Sequence, residues 1–379
     1  MATREALWNY RNEFGDAFGR TYFRRFGPGV ISSVGLGTYL GAPTDAVDDA
    51  YRTAVDLALR SGVNVVDTAV NYRCGRSERI VGEAVRESAV DRDAVVVATK
   101  GGFLPFDGRR PDDPAAYVRE RFLDAGIVGL DDLVAGSHCL TPEYVEWSLD
   151  RSLERLGLET IDCYYLHNPE TQLAERDRPA VYDAIESAFE RLERRRLAGD
   201  IGRYGVATWD GFRVSPDAER YLSLPEVLVR AEAAGRAVGP DDDHGFEAIQ
   251  LPFNVVMADA FTRANQQPGR PVRDGESGVA AATDTAASTL EFAHESGISV
   301  FTSASIAQGD LAAPGAIPAG VDATLSGDTP AQRALNFARS APGVTCSLVG
   351  ASDVEHVREN VAAGTFDPLG AGAFDAIFE

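Results

Sequence analysis

The chain is expected to be an α/β protein, a (β/α)8 TIM barrel with an N-terminal hairpin and long loops at the C-terminal face of the barrel. Two observations predict this. Eight short apolar runs recur along the sequence: Val34 to Tyr39, Val63 to Thr68, Val95 to Lys100, Ile161 to His167, Tyr204 to Thr208, Ala248 to Asn254, Ile298 to Ser303 and Val344 to Gly350. Amphipathic stretches with helix start and stop signals lie between them. Strands alternating with helices make right-handed βαβ crossovers and a parallel sheet, and eight such units close a barrel. An open doubly wound sheet would need a third glycine in its first turn, which Gly35-Leu36-Gly37-Thr38-Tyr39-Leu40 lacks. All 379 residues fit one barrel domain, because such barrels commonly run past ~250 residues as a single unit.

In chain order, residues 1–20 read as an appended helix. Thr21 to Phe26 and Val30 to Ser33, turning at Gly27-Pro28-Gly29, read as a hairpin that plugs the bottom of the barrel, so residues 1–33 form an N-terminal extension. Val47, Ala50, Tyr51, Ala54, Leu57 and Ala58 recur at helical spacing toward a stop at Gly62. Thr141 is an N-cap with Pro142 in the first turn, and Thr329 to Gln332 is a capping box. Ser352-Asp353-Val354-Glu355 reads as a second capping box, opening a helix just after the last strand. The run Arg191 to Arg196 with Glu193 reads as a solvated helix face. Residues 102–140, 209–245 and 255–283 stand out as inserted loops after strands three, five and six, on the face where barrel enzymes build their sites. The third is polar enough to be mobile.

The formal net charge of -22 excludes nucleic acid and anionic membrane as partners, since both repel it, and reads as a surface adapted to high salt. Cys74, Cys139, Cys163 and Cys346 form no CxxC pair, so neither a disulfide framework nor a metal site is expected, and the cytoplasm is the default compartment. No run approaches the roughly 18 apolar residues of a membrane span, and the first residues lack the apolar core of a signal peptide. Nothing in the sequence sets an oligomeric state.

Among 36 Lys+Arg residues there is one lysine, Lys100, at the end of the third run. Arginine is a permanently charged planar fork, whereas lysine is a compact charge that a buried site can tune. A chain that uses arginine everywhere else and keeps lysine here points to chemistry. The plain alternative is a chance survivor, which belongs on a solvated helix face rather than at a strand end. Asp67 ends the second strand, His167 ends the fourth, and Tyr72 lies in the loop five residues past Asp67. A tyrosine with a pKa near ~10 needs a cation beside it to work as an acid, Lys100 is that cation, and Asp67 keeps the lysine charged. His167 orients a carbonyl oxygen or shares the proton.

Asp67-Thr68-Ala69-Val70-Asn71-Tyr72, Ala98-Thr99-Lys100, Tyr165-Leu166-His167-Asn168-Pro169, Gly205-Val206-Ala207-Thr208, Gln250-Leu251-Pro252-Phe253-Asn254 and Gly350-Ala351-Ser352 through Glu359-Asn360 occur in this order. The ordered set, covering residues 34–362, resembles the aldo-keto reductase family. The resemblance implies hydride transfer between NADP(H) or NAD(H) and a small-molecule carbonyl or alcohol (an aldehyde, ketone or sugar), with Tyr72 as general acid/base assisted by Lys100, Asp67 and His167. It also implies that Thr38, Asp67, Thr208, Gln250 and Ser303 line the nicotinamide half of a cofactor site. Ala304, Ile306 and Gln308 then face the pyrophosphate, and Gly350, Ser352, His356, Glu359 and Asn360 the adenosine end. Tyr39 and Trp209, just past strands one and five, are either substrate walls or packing residues. Ser303 replaces the aromatic residue that many relatives stack on the nicotinamide, and Gly350 and His356 stand where many place cations for a 2′-phosphate, so the phosphate preference stays open. Potassium-channel β-subunits have a similar ending, which makes a redox-sensing regulatory barrel with little turnover the competing expectation.

Overall fold

A computed structural model describes residues 1–239, 243–267 and 286–379. The hairpin strands β1 (Phe23–Phe26) and β2 (Gly29–Ser32) pair antiparallel ahead of the barrel. The barrel strands follow as β3 (Val34–Gly37), β4 (Val65–Asp67), β5 (Val96–Gly101), β6 (Ile161–His167), β7 (Ile201–Ala207) and β8 (Phe246–Pro252). After a small antiparallel pair, β9 (Ala264–Gln266) and β10 (Ala287–Ser288), the barrel is completed by β11 (Ser299–Ser303) and β12 (Val344–Gly350). All eight barrel strands run parallel and close in the order β11-β12-β3-β4-β5-β6-β7-β8. The expected (β/α)8 barrel is the observed fold.

The helices are α1 (Arg4–Phe14), α2 (Asp45–Leu59), α3 (Arg76–Glu87), α4 (Pro114–Val118), α5 (Pro142–Leu156), α6 (Arg178–Ala198) and α7 (Leu224–Val238). They continue with α8 (Asp259–Thr262), α9 (Thr289–Glu295), α10 (Ala319–Asp322), α11 (Pro330–Ser340), α12 (Val354–Ala363) and α13 (Ala371–Asp375). Side chains of a strand alternate between faces, and the apolar runs divide accordingly. Val65, Val96, Ala98, Cys163, Tyr165, Ala248, Phe301 and Cys346 fill the barrel interior, while Val66, Val97, Tyr164, Leu166, Val206 and Ile249 pack outward against the helices. Burial on both faces explains why the runs are continuously apolar rather than alternating.

The hairpin plugs the barrel, as expected. Phe26 and Ile31, with Ala2 and Leu7 from the N-terminal segment, belong to the interior cluster, and the Phe26 ring meets Phe301 at 5.2 Å. The N-terminal segment is tied down by buried Asp162, whose carboxylate accepts from Ala2 N at 2.6 Å, Val97 N at 2.9 Å and Arg92 Nη2 at 2.7 Å. Among the described residues no helix is long and apolar enough to cross a membrane.

Several expectations shift in detail. Helix α2 stops at Leu59 and Gly62 follows at φ 94, so the glycine turns the chain into β4 instead of capping the helix directly. The stretch 209–245 carries α7 in its second half, and Ser223 caps that helix by accepting from Glu226 N. Part of 255–283 lies outside the described residues. Thr329 and Gln332 form the capping box read from sequence, and Thr141 caps α5. The second box does not form. Asp353, not Ser352, caps α12, because its carboxylate reaches the amides of Glu355 and His356 while Ser352 remains outside the helix. Glu193 departs from the solvated-face reading: it is 1% exposed and accepts from the Tyr204 hydroxyl at 2.7 Å and Gly245 N at 2.5 Å, joining α6 to β7 and the start of β8.

Candidate active site

The catalytic candidates come from three neighbouring strand ends, Asp67 and Tyr72 from β4 and the loop after it, Lys100 from β5 and His167 from β6, and the register brings the strand ends level. Asp67 pairs with Ala98 and with Gly37, Lys100 with Tyr165, and Ala207 with Gln250. Lys100 is fully buried, and its Nζ donates to Asp67 Oδ2 at 2.6 Å and to the Thr68 carbonyl at 2.8 Å. The other Asp67 oxygen accepts from Gln250 Nε2 at 2.8 Å, so both carboxylate oxygens are occupied. The ammonium sits 4.8 Å from the centroid of the Tyr72 ring, and that ring meets His167 at 5.8 Å and Tyr39 at 5.0 Å, both edge-on. Four residues spread over the chain thus converge.

The electrostatics follow from burial. Desolvation alone would lower the Lys100 pKa, but Asp67 and Tyr72 outweigh it and hold the ammonium above the usual lysine value. Burial pushes the Tyr72 phenol up, with Lys100 pulling against it by charge and hydrogen bonding. The lysine therefore acts on the tyrosine in the direction the sequence suggested, yet the resting phenol stays protonated. His167 is driven well below its ordinary pKa by burial, then by Lys100 and His138, and is neutral.

Tyr72 projects from a turn of three successive left-handed residues, Arg73 at φ 47, Cys74 at φ 59 and Gly75 at φ 78. Left-handed backbone at a non-glycine residue costs about 1–3 kcal/mol and persists only where the surroundings impose it. Here they do. The buried Arg73 guanidinium donates to the Ala42 carbonyl at 3.1 Å and to Asp48 Oδ1 at 2.5 Å, and Arg76 and Arg79 hold the other Asp48 oxygen at 2.6 and 3.0 Å. From the opposite side, Arg155 of α5 donates to the Val70 carbonyl at 3.1 Å. Its guanidinium lies where a Cβ on residue 75 would come within 2.7 Å, and the left-handed backbone at this position favours glycine.

A cleft of about 690 Å³ opens at this face of the barrel. Its walls include Asp67, Tyr72 and His167, with Lys100 buried behind them. Thr38, Thr208, Gln250 and Ser303 line it from the ends of β3, β7, β8 and β11; Ala304, Ile306 and Gln308 from the loop after β11; and Gly350, Ser352, His356, Glu359 and Asn360 from β12 and α12. Tyr39 and Trp209, 57% and 39% exposed, also line it and do not pack inward. Every residue singled out from sequence is therefore on or directly behind one cleft. Among the described lining residues there is no lysine or arginine.

Phe103, His138 and Glu170 were not assigned to the site from sequence. Phe103 lines the cleft and stacks edge-on against both His138 and His167 at 4.8 and 5.1 Å. His138, fully buried, bonds through Nε2 to the His167 carbonyl at 2.8 Å, and its Nδ1 meets Gln172 Nε2 at 2.7 Å. Because a carbonyl only accepts and an amide NH2 only donates, the proton of neutral His138 is on Nε2. Buried Glu170 accepts from the amides of Trp209 and Asp210 at 2.7 and 3.1 Å, holding the loop that carries Trp209. Glu170 lies three residues past His167, an offset that a search around strand ends reaches; the His138 link spans 29 positions and leaves no local signal.

Comparison with known proteins adds the following. The family model described as "Aldo/keto reductase family" matches residues 33–226, just over half of the chain. A D-threo-aldose 1-dehydrogenase of a Pseudomonas species is 32% identical over 234 residues, covering 60% of this chain and 64% of that protein. An NADH-specific methylglyoxal reductase of Escherichia coli is 33% identical over 203 residues, covering 52% and 53%. The chain thus spans less than two thirds of the length of either relative. A putative voltage-gated potassium channel subunit β of Schizosaccharomyces pombe is 23% identical over 348 residues, covering 89% and 85%. Among solved structures, an aldo-keto reductase from Bacillus halodurans in holo form superposes with a TM-score of 0.59 at 21% identity, covering 95% and 96%. One from Klebsiella pneumoniae in complex with NADP and acetate has a TM-score of 0.57 at 19% identity, covering 94% of each chain.

Proposed function

Because the chain belongs to the aldo/keto reductase family, we propose that it is an NAD(P)-dependent oxidoreductase interconverting a carbonyl and an alcohol, its substrate an aldehyde, a ketone or a sugar. The observation that carries this reading is the single lysine of the chain, buried, clamped by Asp67 and set 4.8 Å from the Tyr72 ring. The residues present fit a nicotinamide dinucleotide. The cleft offers amide and hydroxyl groups at Gln250, Ser303 and Asn360, and a turn after β11 with left-handed Ala304, Ala307 and Gln308, the kind of backbone strain found at ligand clamps. When bound, the nicotinamide supplies or accepts the hydride.

The chain's own residues handle the proton. In reduction Tyr72 donates its phenolic proton to the oxygen of the carbonyl, and the phenolate left behind is stabilised by the Lys100 ammonium. Asp67 keeps that ammonium charged, and Gln250 fixes Asp67. In oxidation the same phenolate removes the proton from the alcohol. His167 Nδ1 is buried without a partner. A bare lone pair there is less costly than a bare N–H, so the proton of the neutral ring is on Nε2, the atom left to orient a substrate oxygen. Tyr39 and Trp209 form the substrate walls.

Two named relatives support the substrate class, one a sugar dehydrogenase and the other a reductase of a small aldehyde. The net charge of -22 supports a high-salt setting without nucleic acid or anionic membrane as partner, and the four free cysteines support a cytoplasmic one. The second reading, a nicotinamide-binding regulatory barrel with little turnover, is favoured by the match to a channel β-subunit over 89% of this chain. Turnover of a panel of aldehydes, ketones and sugars separates the two. The enzyme reading expects turnover that Tyr72→Phe abolishes; tight cofactor binding with no turnover on any member of the panel would select the regulator.

A further inference from the structure

We propose that the flank of the barrel carries a second binding site, for a small ring-bearing oxyanion such as an aryl phosphate, and that Arg155 couples its occupation to Tyr72. A cavity of about 680 Å³ lies between α3, α5 and the loop inserted after β5, and it shares no lining residue with the catalytic cleft. That volume suits a small molecule. The chain has a net charge of -22, yet Arg76, Arg79, Arg121, Arg151 and Arg155 all face this one cavity. The carboxylates that share the wall, Asp107, Glu120 and Glu154, are exposed, whereas the Arg155 and Arg76 side chains are only 18% and 14% exposed. The positive charge is therefore set deeper than the negative, in a concave surface that focuses its field.

Two of these arginines are spoken for, since Arg76 and Arg79 are held by Asp48. The others keep donors to spare. Glu78 and Asp107 stand 3.8 Å from the Arg155 nitrogens, beyond hydrogen-bond reach. Arg121 meets the Tyr117 phenol and, among the described residues, forms no ion pair. Arg151 is paired with exposed Glu154 and lies 5.7 Å from the centroid of the Trp147 ring. Guanidinium forks match the geometry of a phosphate or carboxylate. The apolar part of the wall is aromatic, from Tyr117, Phe122 and Trp147, and suits a flat ring carried by the anion.

The strained turn divides the two cavities. Tyr72 lines the cleft, while Cys74 and Gly75 line the flank cavity. Arg155 spans the division, because its guanidinium packs against Gly75 and donates to the Val70 carbonyl at 3.1 Å, two residues before Tyr72. An oxyanion that takes the Arg155 fork weakens that bond, loosens the turn and lowers turnover.

The test is calorimetric titration of the full chain with phenyl phosphate, inorganic phosphate and phenol, with turnover followed separately. It is repeated on Arg121→Gln/Arg151→Gln, which removes two cations from the cavity and leaves the turn clamp intact. Phenyl phosphate should bind at one site, inorganic phosphate severalfold more weakly and phenol not at all. The double variant should bind phenyl phosphate about tenfold or more weakly, and saturating phenyl phosphate should slow only the unaltered protein. No binding, or an unchanged affinity in a variant that circular dichroism shows folded, overturns the site. Phenol binding as well as phenyl phosphate overturns the preference for an anion, and equal affinity for inorganic phosphate overturns the role of the ring. Binding with unchanged turnover overturns the coupling through Arg155. Absence of turnover on every carbonyl tried rejects the oxidoreductase reading instead, and the heat of binding still decides the site.

Discussion

Lys100 has no route to neutrality in its pocket: with Asp67 at 2.6 Å and the Thr68 carbonyl at 2.8 Å, the ammonium is worth more charged than its burial costs. The opposite holds for His138. Burial pushes it down to about 4, against the hydrogen bond to the His167 carbonyl, so folding binds the neutral ring. Between pH 6.5 and 4 the unfolded chain therefore carries a proton there that the folded chain rejects, and stability from this group is lost as pH falls through that window. Between pH 7.5 and 5 the loss from His138 amounts to about 2 kcal/mol. Denaturant unfolding of the unaltered protein and of His138→Gln at both pH values checks this: the pH slope should be shallower in the variant by that amount, and identical slopes would remove His138 from the account. Residue roles of this kind were only partly legible beforehand. Asp67, Tyr72, Lys100 and His167 could be found because each sits at or just past the end of an apolar run. His138 could not, because its partners come from other elements and its own surroundings read as a loop.

At the scale of elements, the turn that presents Tyr72 is a strained segment held from both flanks, by Asp48 of α2 through Arg73 and by Arg155 of α5. Asp48 neutralises three arginines, and Arg73 among them is buried. Asp48→Ala should destabilise the protein by about 3–5 kcal/mol, the cost of leaving a buried charge unpaired. Thermal unfolding should show a clear fall in Tm, and an unchanged Tm would mean that the turn does not need the clamp. The strands were legible because burial on both faces makes them continuous apolar runs, and their ends moved by only a few residues. Helix starts depend on which of two neighbouring polar side chains reaches the free amides. Ser352 and Asp353 are equally good candidates in one dimension, and in the folded chain it is the Asp353 carboxylate that reaches the amides of Glu355 and His356. Glu193 was misread for a similar reason: among arginines it looks solvated, but α6 turns it onto Tyr204.

For the molecule as a whole, the excess of 58 acidic over 36 basic residues makes the compact state repel itself. Much of the arginine is already paired on the surface, in networks such as Arg195 with Asp150 and Asp200 and Arg230 with Asp183 and Glu186. Salt weakens those pairs and also the long-range repulsion; with so large an imbalance the repulsion dominates. Tm should therefore rise by several degrees between about 0.1 M and 1 M salt, and a fall over that range would contradict a surface adapted to salt. The barrel beneath is independent of that charge. Its interior is apolar and plugged, and it brings the cleft residues together from eight strand ends.

The central claim is that the one lysine of the chain is kept for proton transfer and not for charge alone. Lys100→Arg tests it most directly, because the charge survives while the compact ammonium beneath Tyr72 does not. With cofactor binding followed in parallel, turnover should fall by about 100-fold or more while binding persists. Turnover near that of the unaltered protein would contradict the account and leave Lys100 a survivor of chance.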